Sequence, residues 1–379
     1  MRRRISDFLV AMTLVLAALY AYVALRTTDS LAARIVIAIP FVLIWLVPAI
    51  YWAGDREGHT RLDDFVHAAS YTSMGWLNFA VLLCLCRDAL WLATYVLPLP
   101  ALRTAIVANG SIFVLAGSFV ALGVGMFWGL RGPGVVRIDV PIAGLHPSLE
   151  GLRIAQISDL HVGPIIRSRY SRRVVELARS LEPDLYALTG DFVDGPVERL
   201  GKHLQAFAAL GADGRAFFVT GNHEYYSGAA EWIAHLNTLG IPTLQNEHVI
   251  VERDRARLMI AGVNDPMARR YGSDGAPDPK RAIAGGERAD FKLLLAHNPK
   301  LAPLAAEAGF DLQLSGHTHA GQFFPWTLAV QKIHAPHVAG LTREGRMWVY
   351  VSAGTGSWGP PLRFGTRTEV TLLRLIAAK

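Results

Sequence analysis

The pattern of apolar and polar positions changes near Arg131. Before it, four long runs carry almost no charge: residues 8–25, 35–54, 65–86 and 104–130. Each is long enough for a helix to cross the roughly 30 Å hydrocarbon core of a bilayer. The third is the most polar, with Ser70, Tyr71, Thr72, Ser73 and Asn78 in its first half. Residues 89–102 are also apolar, but they are few and include Pro98 and Pro100, which predicts an interfacial or re-entrant segment. After the breaker-rich Arg131-Gly132-Pro133-Gly134, short apolar runs alternate with polar turns. The runs 153–157, 185–189, 217–220, 293–296 and 312–315 predict buried strands. Val174, Val175, Leu177, Ala178 and Leu181 recur at helical spacing, and 229–239 and 301–308 read as further helices. Alternating strands and helices define an α/β unit.

Composition adds little to this division. Apolar residues make up 52% of the chain and the net charge is +6. No basic stretch is interleaved with aromatics, so nucleic acid is not an expected partner. The expected partner is a phospholipid membrane, because several arginines flank the apolar runs. Arg2, Arg3, Arg4, Arg56, Arg61, Arg131 and Arg137 fall on one side of a four-span arrangement, against Arg26, Arg34, Arg87 and Arg103 on the other. The excess predicts a multi-pass protein of the cell membrane, with its N-terminus and C-terminal unit in the cytoplasm. The first run is too long for a cleaved leader and is read as an anchor. Cys84 and Cys86 are the only cysteines, so the C-terminal unit has neither disulfides nor thiolate ligands.

The chemistry lies at the strand ends. In order they present Ser158-Asp159-Leu160-His161, Gly190-Asp191, Gly221-Asn222-His223-Glu224, His297-Asn298-Pro299 and Gly316-His317-Thr318-His319. A single histidine after a strand is usually a hydrogen-bonded loop residue, but five such turns in series are not explained that way. In an extended segment Asp159 and His161 would project to one side and chelate together. His317 and His319 would do the same or split between two ions. Carboxylate, amide oxygen and imidazole together suit Mn²⁺, Fe²⁺ or Zn²⁺ better than Mg²⁺ or Ca²⁺. Eight candidate groups are too many for one ion and suit two. Arg363, in Ser357-Trp-Gly-Pro-Pro-Leu-Arg-Phe-Gly365, reads either as a phosphate clamp or as a surface-loop arginine.

With those motifs in order, residues 152–375 resemble the calcineurin-like metallophosphoesterase superfamily. The Gly-His-Thr-His-Ala-Gly-Gln tail and the preceding apolar runs are similar to its membrane-associated YkuE-like and YaeI-like phosphodiesterases. That branch commonly has glycine where this chain has Ala320. The apolar runs predict a membrane domain over 1–130 with about four transmembrane helices, followed by a linker and entry strand over 131–151; the resemblance implies a four-layer αββα sandwich for the metallophosphoesterase domain over 152–379. It further implies that Asp159, His161 and His319 hold one divalent metal, that Asn222, His297 and His317 hold a second, and that Asp191 bridges the two. His223 would be the catalytic group at the leaving oxygen, and Asn222 would also touch the phosphate. The implied activity is two-metal hydrolysis of a phosphodiester or pyrophosphate at the membrane, with the lipid-linked UDP-diacylglucosamine as one concrete substrate. The alternatives are a soluble nucleotide or phosphoprotein substrate with the helices as anchor only, or a non-enzymatic sensor. A degenerate sensor should lack ligands, and this chain lacks none.

Overall fold

A computed structural model describes residues 2–51, 61–271 and 275–378. Contacts divide the chain into two units, residues 1–127 with 359–362 and residues 128–358 with 363–379. Arg56 and the end of the 35–54 run lie outside the described residues.

The apolar runs of the first unit form helices α1 (Arg2–Thr27), α2 (Leu31–Tyr51), α3 (Arg61–Val96) and α4 (Pro100–Leu130). Val10–Thr27, Leu62–Val96 and Pro100–Leu130 are long and apolar enough to cross a membrane, and a shorter apolar stretch covers Leu31–Trp45. Leu14, Ile35, Phe65, Val107 and Phe113 are all more than half exposed. So many bare apolar side chains suit lipid rather than water. Residues 89–102 do not form a separate segment. They continue α3 to Val96, turn at 97–99, and enter α4 at Pro100, where a missing N–H costs nothing. One polar cluster pins α1 to α3: Asp88 accepts from Arg26 Nε and Nη2, each at 2.8 Å, and from the Tyr22 hydroxyl at 2.8 Å.

The second unit is built on two sheets. The first has strand order β1-β11-β2-β3-β4, with β1 Gly134–Ile142, β2 Arg153–Ile157, β3 Leu185–Thr189, β4 Ala216–Val219 and β11 Glu369–Ala377. The second has order β5-β6-β7-β8-β10-β9, with β5 Glu247–Arg253, β6 Ala256–Gly262, β7 Phe291–Leu295, β8 Leu312–Ser315, β9 Gly340–Glu344 and β10 Met347–Val351. Strands β2, β3 and β4 are mutually parallel, as are β6, β7, β8 and β10. Parallel strands need helical crossovers, which cover the outer faces.

Three apolar layers follow from that geometry. Ile154, Ala187 and Val219 of the first sheet meet Ile260, Leu293 and Leu314 of the second between the sheets. On one outer face α5 (Ser168–Ser180) and the helix Ala229–Thr238 bury Val174, Val175, Ala178, Trp232 and Leu236 against Ala155, Tyr186 and Phe218. On the other, the helix Ala302–Ala308 buries Ala302 and Ala305 against Leu294 and Val349. The order is helix, sheet, sheet, helix, a four-layer α/β sandwich. At one end Gln156 Nε2 ties the sheets together, donating to Thr189 Oγ1 at 2.9 Å and to the Ser315 carbonyl at 2.8 Å. The turns after β2, β3, β4, β7 and β8 converge there.

Candidate metal centre

The ligand turns leave the strands by a route that alternation does not anticipate. Asp159, His161, Asp191, His317 and His319 all have positive φ, between 50° and 71°. Side chains other than glycine rarely adopt this region, which costs of order 1–3 kcal/mol each. Asp159 and His161 therefore do not share a side through extended geometry. Each sits in a tight left-handed turn, pinned by Asp159 N–H to Gly190 O (2.9 Å) and His161 N–H to Asp191 O (3.1 Å). The ligand side chains themselves leave no room for a Cβ at two glycines. A Cβ at Gly221 would collide with Asp191 Oδ1, and one at Gly316 with Ser158 Oγ and Asp159 Oδ2.

Three groups of ligand-type atoms result, each within 4.8 Å internally: Asp159 with His161 and His319, Asp191 with His297 and His317, and, sharing His161 with the first, His161 with Asp194 and His223. In the first, His161 Nε2 lies 3.0 Å from His319 Nε2, and the latter lies 3.3 Å from Asp159 Oδ1. In the second, Asp191 Oδ2 lies 3.1 Å from His297 Nε2, and Asn222 Oδ1 is 3.0 Å from His317 Nδ1. Asp191 Oδ2 is also 4.0 Å from His161 Nε2, so this one carboxylate stands between the first two groups. Among the described residues, Asp159 Oδ2 is buried without a hydrogen-bond partner, and buried His297 Nε2 faces only Asp191 Oδ2. Stranding buried polar atoms is costly unless something else pairs them. Divalent cations fit that need, since the donor set is carboxylate, amide oxygen and imidazole.

The surroundings fix how each ring presents itself. His297 Nδ1 lies 2.7 Å from the Thr189 carbonyl, which holds a proton on Nδ1 and turns Nε2 toward Asp191 Oδ2. Asp194 Oδ1 lies 2.8 Å from both His161 Nδ1 and His223 Nδ1, so one carboxylate orients a ligand-type ring and a neighbouring one together. Burial would raise the Asp191 carboxyl, but the imidazoles of His297, His223 and His161 hold it well below the ordinary carboxylate range. Burial, then positive charge on His297, pushes His317 down to about 3, which leaves it neutral. Burial pulls His223 down, but Asp191 and Asp194 outweigh it and raise His223 to about 9. His223 thus carries a proton at neutral pH beside the cluster, with its Nε2 4.0 Å from Asp191 Oδ2.

Arg363 is neither at the surface nor free to meet a phosphate. It is fully buried; Nη1 donates to the carbonyls of His319 (3.0 Å) and Ala353 (2.7 Å), and Nη2 donates to that of Gly356. Nη2 also lies 3.2 Å from His319 Nδ1. Arginine has no acceptor, so in this arrangement the neutral His319 ring carries its one proton on Nε2, and ligation through Nε2 would require that proton to shift to Nδ1. Arg363 therefore positions His319. Two other supporting residues lay outside the ligand expectation. Glu224 accepts from the N–H groups of Gly221 (2.7 Å), Asp191 (2.9 Å) and Phe192 (2.7 Å), locking two ligand turns together. Asp194 follows Asp191 by three residues, a spacing that could have marked it. His334 had no such marker, yet its ring centroid lies 5.5 Å from that of His317.

Sandwich, strand-end turns and donor set together define a candidate metal centre at the ends of the parallel strands. The calcineurin-like phosphoesterase family model matches residues 152–321. The chain is 35% identical over 278 residues to a transmembrane protein with metallophosphoesterase domain of Danio rerio, covering 70% of this chain and 63% of the relative. It is 36% identical over 267 residues to the protein of the same description in Bos taurus, covering 67% and 60%. An uncharacterized metallophosphoesterase of Helicobacter pylori is 35% identical over 271 residues, with 70% of each chain covered. The chain matches less than two thirds of the length of the two vertebrate relatives. It belongs to the calcineurin-like metallophosphoesterase family.

Proposed function

We propose that the chain hydrolyses a phosphodiester or pyrophosphate bond at a membrane. Asp159, His161 and His319 hold one divalent cation, Asn222, His297 and His317 hold another, and Asp191 reaches both. Mn²⁺, Fe²⁺ or Zn²⁺ suits the set. The supporting observation is the pair of ligand groups on either side of Asp191 Oδ2, with Asp159 Oδ2 buried and unpartnered. Cations there supply charge neutralisation and polarisation of the phosphoryl group. Asn222, in the same cluster, orients a phosphate oxygen. Water adds its oxygen to phosphorus and sheds a proton to solvent, the bond to the leaving oxygen breaks, and His223 gives its proton to that oxygen and regains one from solvent. General-acid help of this kind is worth roughly 10²–10⁴ in rate.

A membrane-resident substrate such as UDP-diacylglucosamine draws support from the segment after His319. Phe324, Trp326, Leu328 and Ile333 are all exposed there, at 38–59%. Aromatic and aliphatic side chains in that number suit the interfacial zone of a bilayer. In this reading residues 1–130 form the membrane domain, 131–151 the link and 152–379 the catalytic domain, which faces the cytoplasm. The test is hydrolysis by metal-replete protein of a panel of lipid-linked and soluble phosphodiesters. Preference for the lipid-linked members, lost when Phe324 and Trp326 become serine, is the expected result. Equal rates on soluble and lipid-linked substrates would refute membrane selection, and no hydrolysis of any member would refute the function.

A further inference from the structure

A cavity of about 540 Å³ opens onto one half of the centre, since Asn222 and His317 belong to its lining. Arg269, Arg270, Tyr226 and Asp265 line it as well. The arginines are exposed, and neither has a hydrogen-bond or ion-pair partner among the described residues. Their placement is built. The chain leaves β6 at Gly262, and Asp265 Oδ1 accepts from the Met267 N–H at 2.8 Å, capping the single-turn helix Pro266–Tyr271 that carries both arginines. The Tyr271 ring lies 6.4 Å from Tyr225 and 6.3 Å from Tyr226, and Tyr226 in turn lies 5.2 Å from His223. The turn is thereby packed against the same short helix, Asn222–Tyr226, that supplies Asn222 and His223. Asp265 is the one acid in the lining; burial raises its carboxyl to about 6, and two guanidinium groups outweigh it.

Two unpaired guanidiniums beside a phosphoryl-binding centre provide the planar, charge-assisted donors that phosphate oxygens accept best. We infer that this cavity seats a second phosphoryl group of the same substrate, with Arg269 and Arg270 as its counter-charges. Pyrophosphate-linked substrates, rather than simple phosphodiesters, are then the preferred class. The inference rests on the proposed phosphoesterase reading and narrows it. A lone diester fills the half of the site bounded by Asn222 and His317 and leaves the arginines unused; a diphosphate fills both.

The test is calorimetric binding to the metal-replete full chain, comparing methylene diphosphonate, which cannot be hydrolysed, with methylphosphonate. The wild type should bind the diphosphonate at least tenfold more tightly. The double variant Arg269→Ala, Arg270→Ala should lose that preference while binding methylphosphonate within about twofold of wild type. It should also keep the wild-type rate on bis(4-nitrophenyl) phosphate, which carries one phosphoryl group. Arg269→Lys with Arg270→Lys should restore part of the preference. Equal loss for both ligands would mean that the arginines only maintain the fold, and an unchanged preference would mean that they do not meet the ligand. Either result overturns the inference. Tight diphosphonate binding without hydrolysis of any phosphoester would instead overturn the proposed function and leave the cavity assignment intact.

Discussion

Replacing Glu224 by glutamine changes one atom in a fully enclosed carboxylate, so its cost can be worked out bond by bond. Oε2 accepts from Asp191 N–H and Gly221 N–H, and Oε1 accepts from Phe192 N–H. The better glutamine orientation keeps its oxygen at Oε2 and turns its NH₂ toward Phe192 N–H. One charge-assisted bond is lost, worth roughly 1.5–3 kcal/mol, and two donors are left facing each other, where an unsatisfied buried group costs about 1–3 kcal/mol. The two remaining bonds lose their ionic assistance. A total of about 3–5 kcal/mol follows from these terms. For a unit of this size each kcal/mol moves the melting temperature by about 2–4 °C. The Glu224→Gln protein should therefore melt roughly 6–20 °C lower. The measurement is thermal unfolding of the full chain in detergent at pH 8, where Glu224, raised to about 7 by burial and by the Asp191 charge, is ionised. Bound metal should fall in the same samples, because Asp191 loses an anchor of its turn. A shift under about 2 °C with full metal content would refute the claim that this carboxylate locks the two turns.

Chelation should abolish hydrolysis and added Mn²⁺ should restore it; Asp191→Asn should reduce activity more than any single change at the outer ligands, because it weakens both groups. His223→Ala should keep metal content but lose rate, with the larger loss on a poor alkoxide leaving group than on an activated aryl ester; equal losses would exclude the acid role. Gly316→Ala forces a methyl against Ser158 Oγ and Asp159 Oδ2, so metal titration should show a loss at the Asp159 group of at least tenfold in affinity. Ala320 has φ 51° and ψ 24°, a left-handed conformation that costs an ordinary residue about 1–2 kcal/mol, so Ala320→Gly should leave the melting temperature unchanged or raise it.

The five strands followed by ligand turns were readable because each is a short, wholly apolar run that ends abruptly in polar residues. The αββα layering was not readable from those runs themselves and came from the resemblance. Of the second sheet, β5, β6, β9 and β10 escaped notice. β5 and β9 pair on one side only and are half exposed, so charged residues such as Glu247, Glu252 and Arg343 are tolerated in them, whereas β6 and β10 are apolar interior strands without ligand turns after them. The helical segment 89–96 was obscured by Pro98 and Pro100, which bound a turn between two helices rather than a separate element. At the centre, residue types identified the cluster, but the rule of alternating side chains misplaced its backbone. The left-handed conformations of Asp159 and His161 depend on hydrogen bonds that their N–H groups donate to the carbonyls of Gly190 and Asp191, some thirty residues away. Arg363 was opaque for the same reason. Glycines and prolines around it describe a surface loop, whereas its burial is decided by the carbonyls of His319, Ala353 and Gly356.

The position of β11 has a consequence for biosynthesis. This strand, made of residues 369–377, lies inside the first sheet, parallel to β1 on one side and antiparallel to β2 on the other. During translation β1 and β2 emerge with no partner between them, and the gap closes only when the ribosome has passed residue 369. At about 5–20 residues per second the wait from the end of β2 is roughly ten to forty seconds. Throughout it Ile154 of β2 and the residues of β1 lack the strand that pairs with them in the finished sheet, while the helices already synthesised can engage the membrane insertion machinery. A nascent chain stalled before residue 369 should accordingly expose unpaired strand edges, making it a target for chaperones and proteases while its first four helices are already complete.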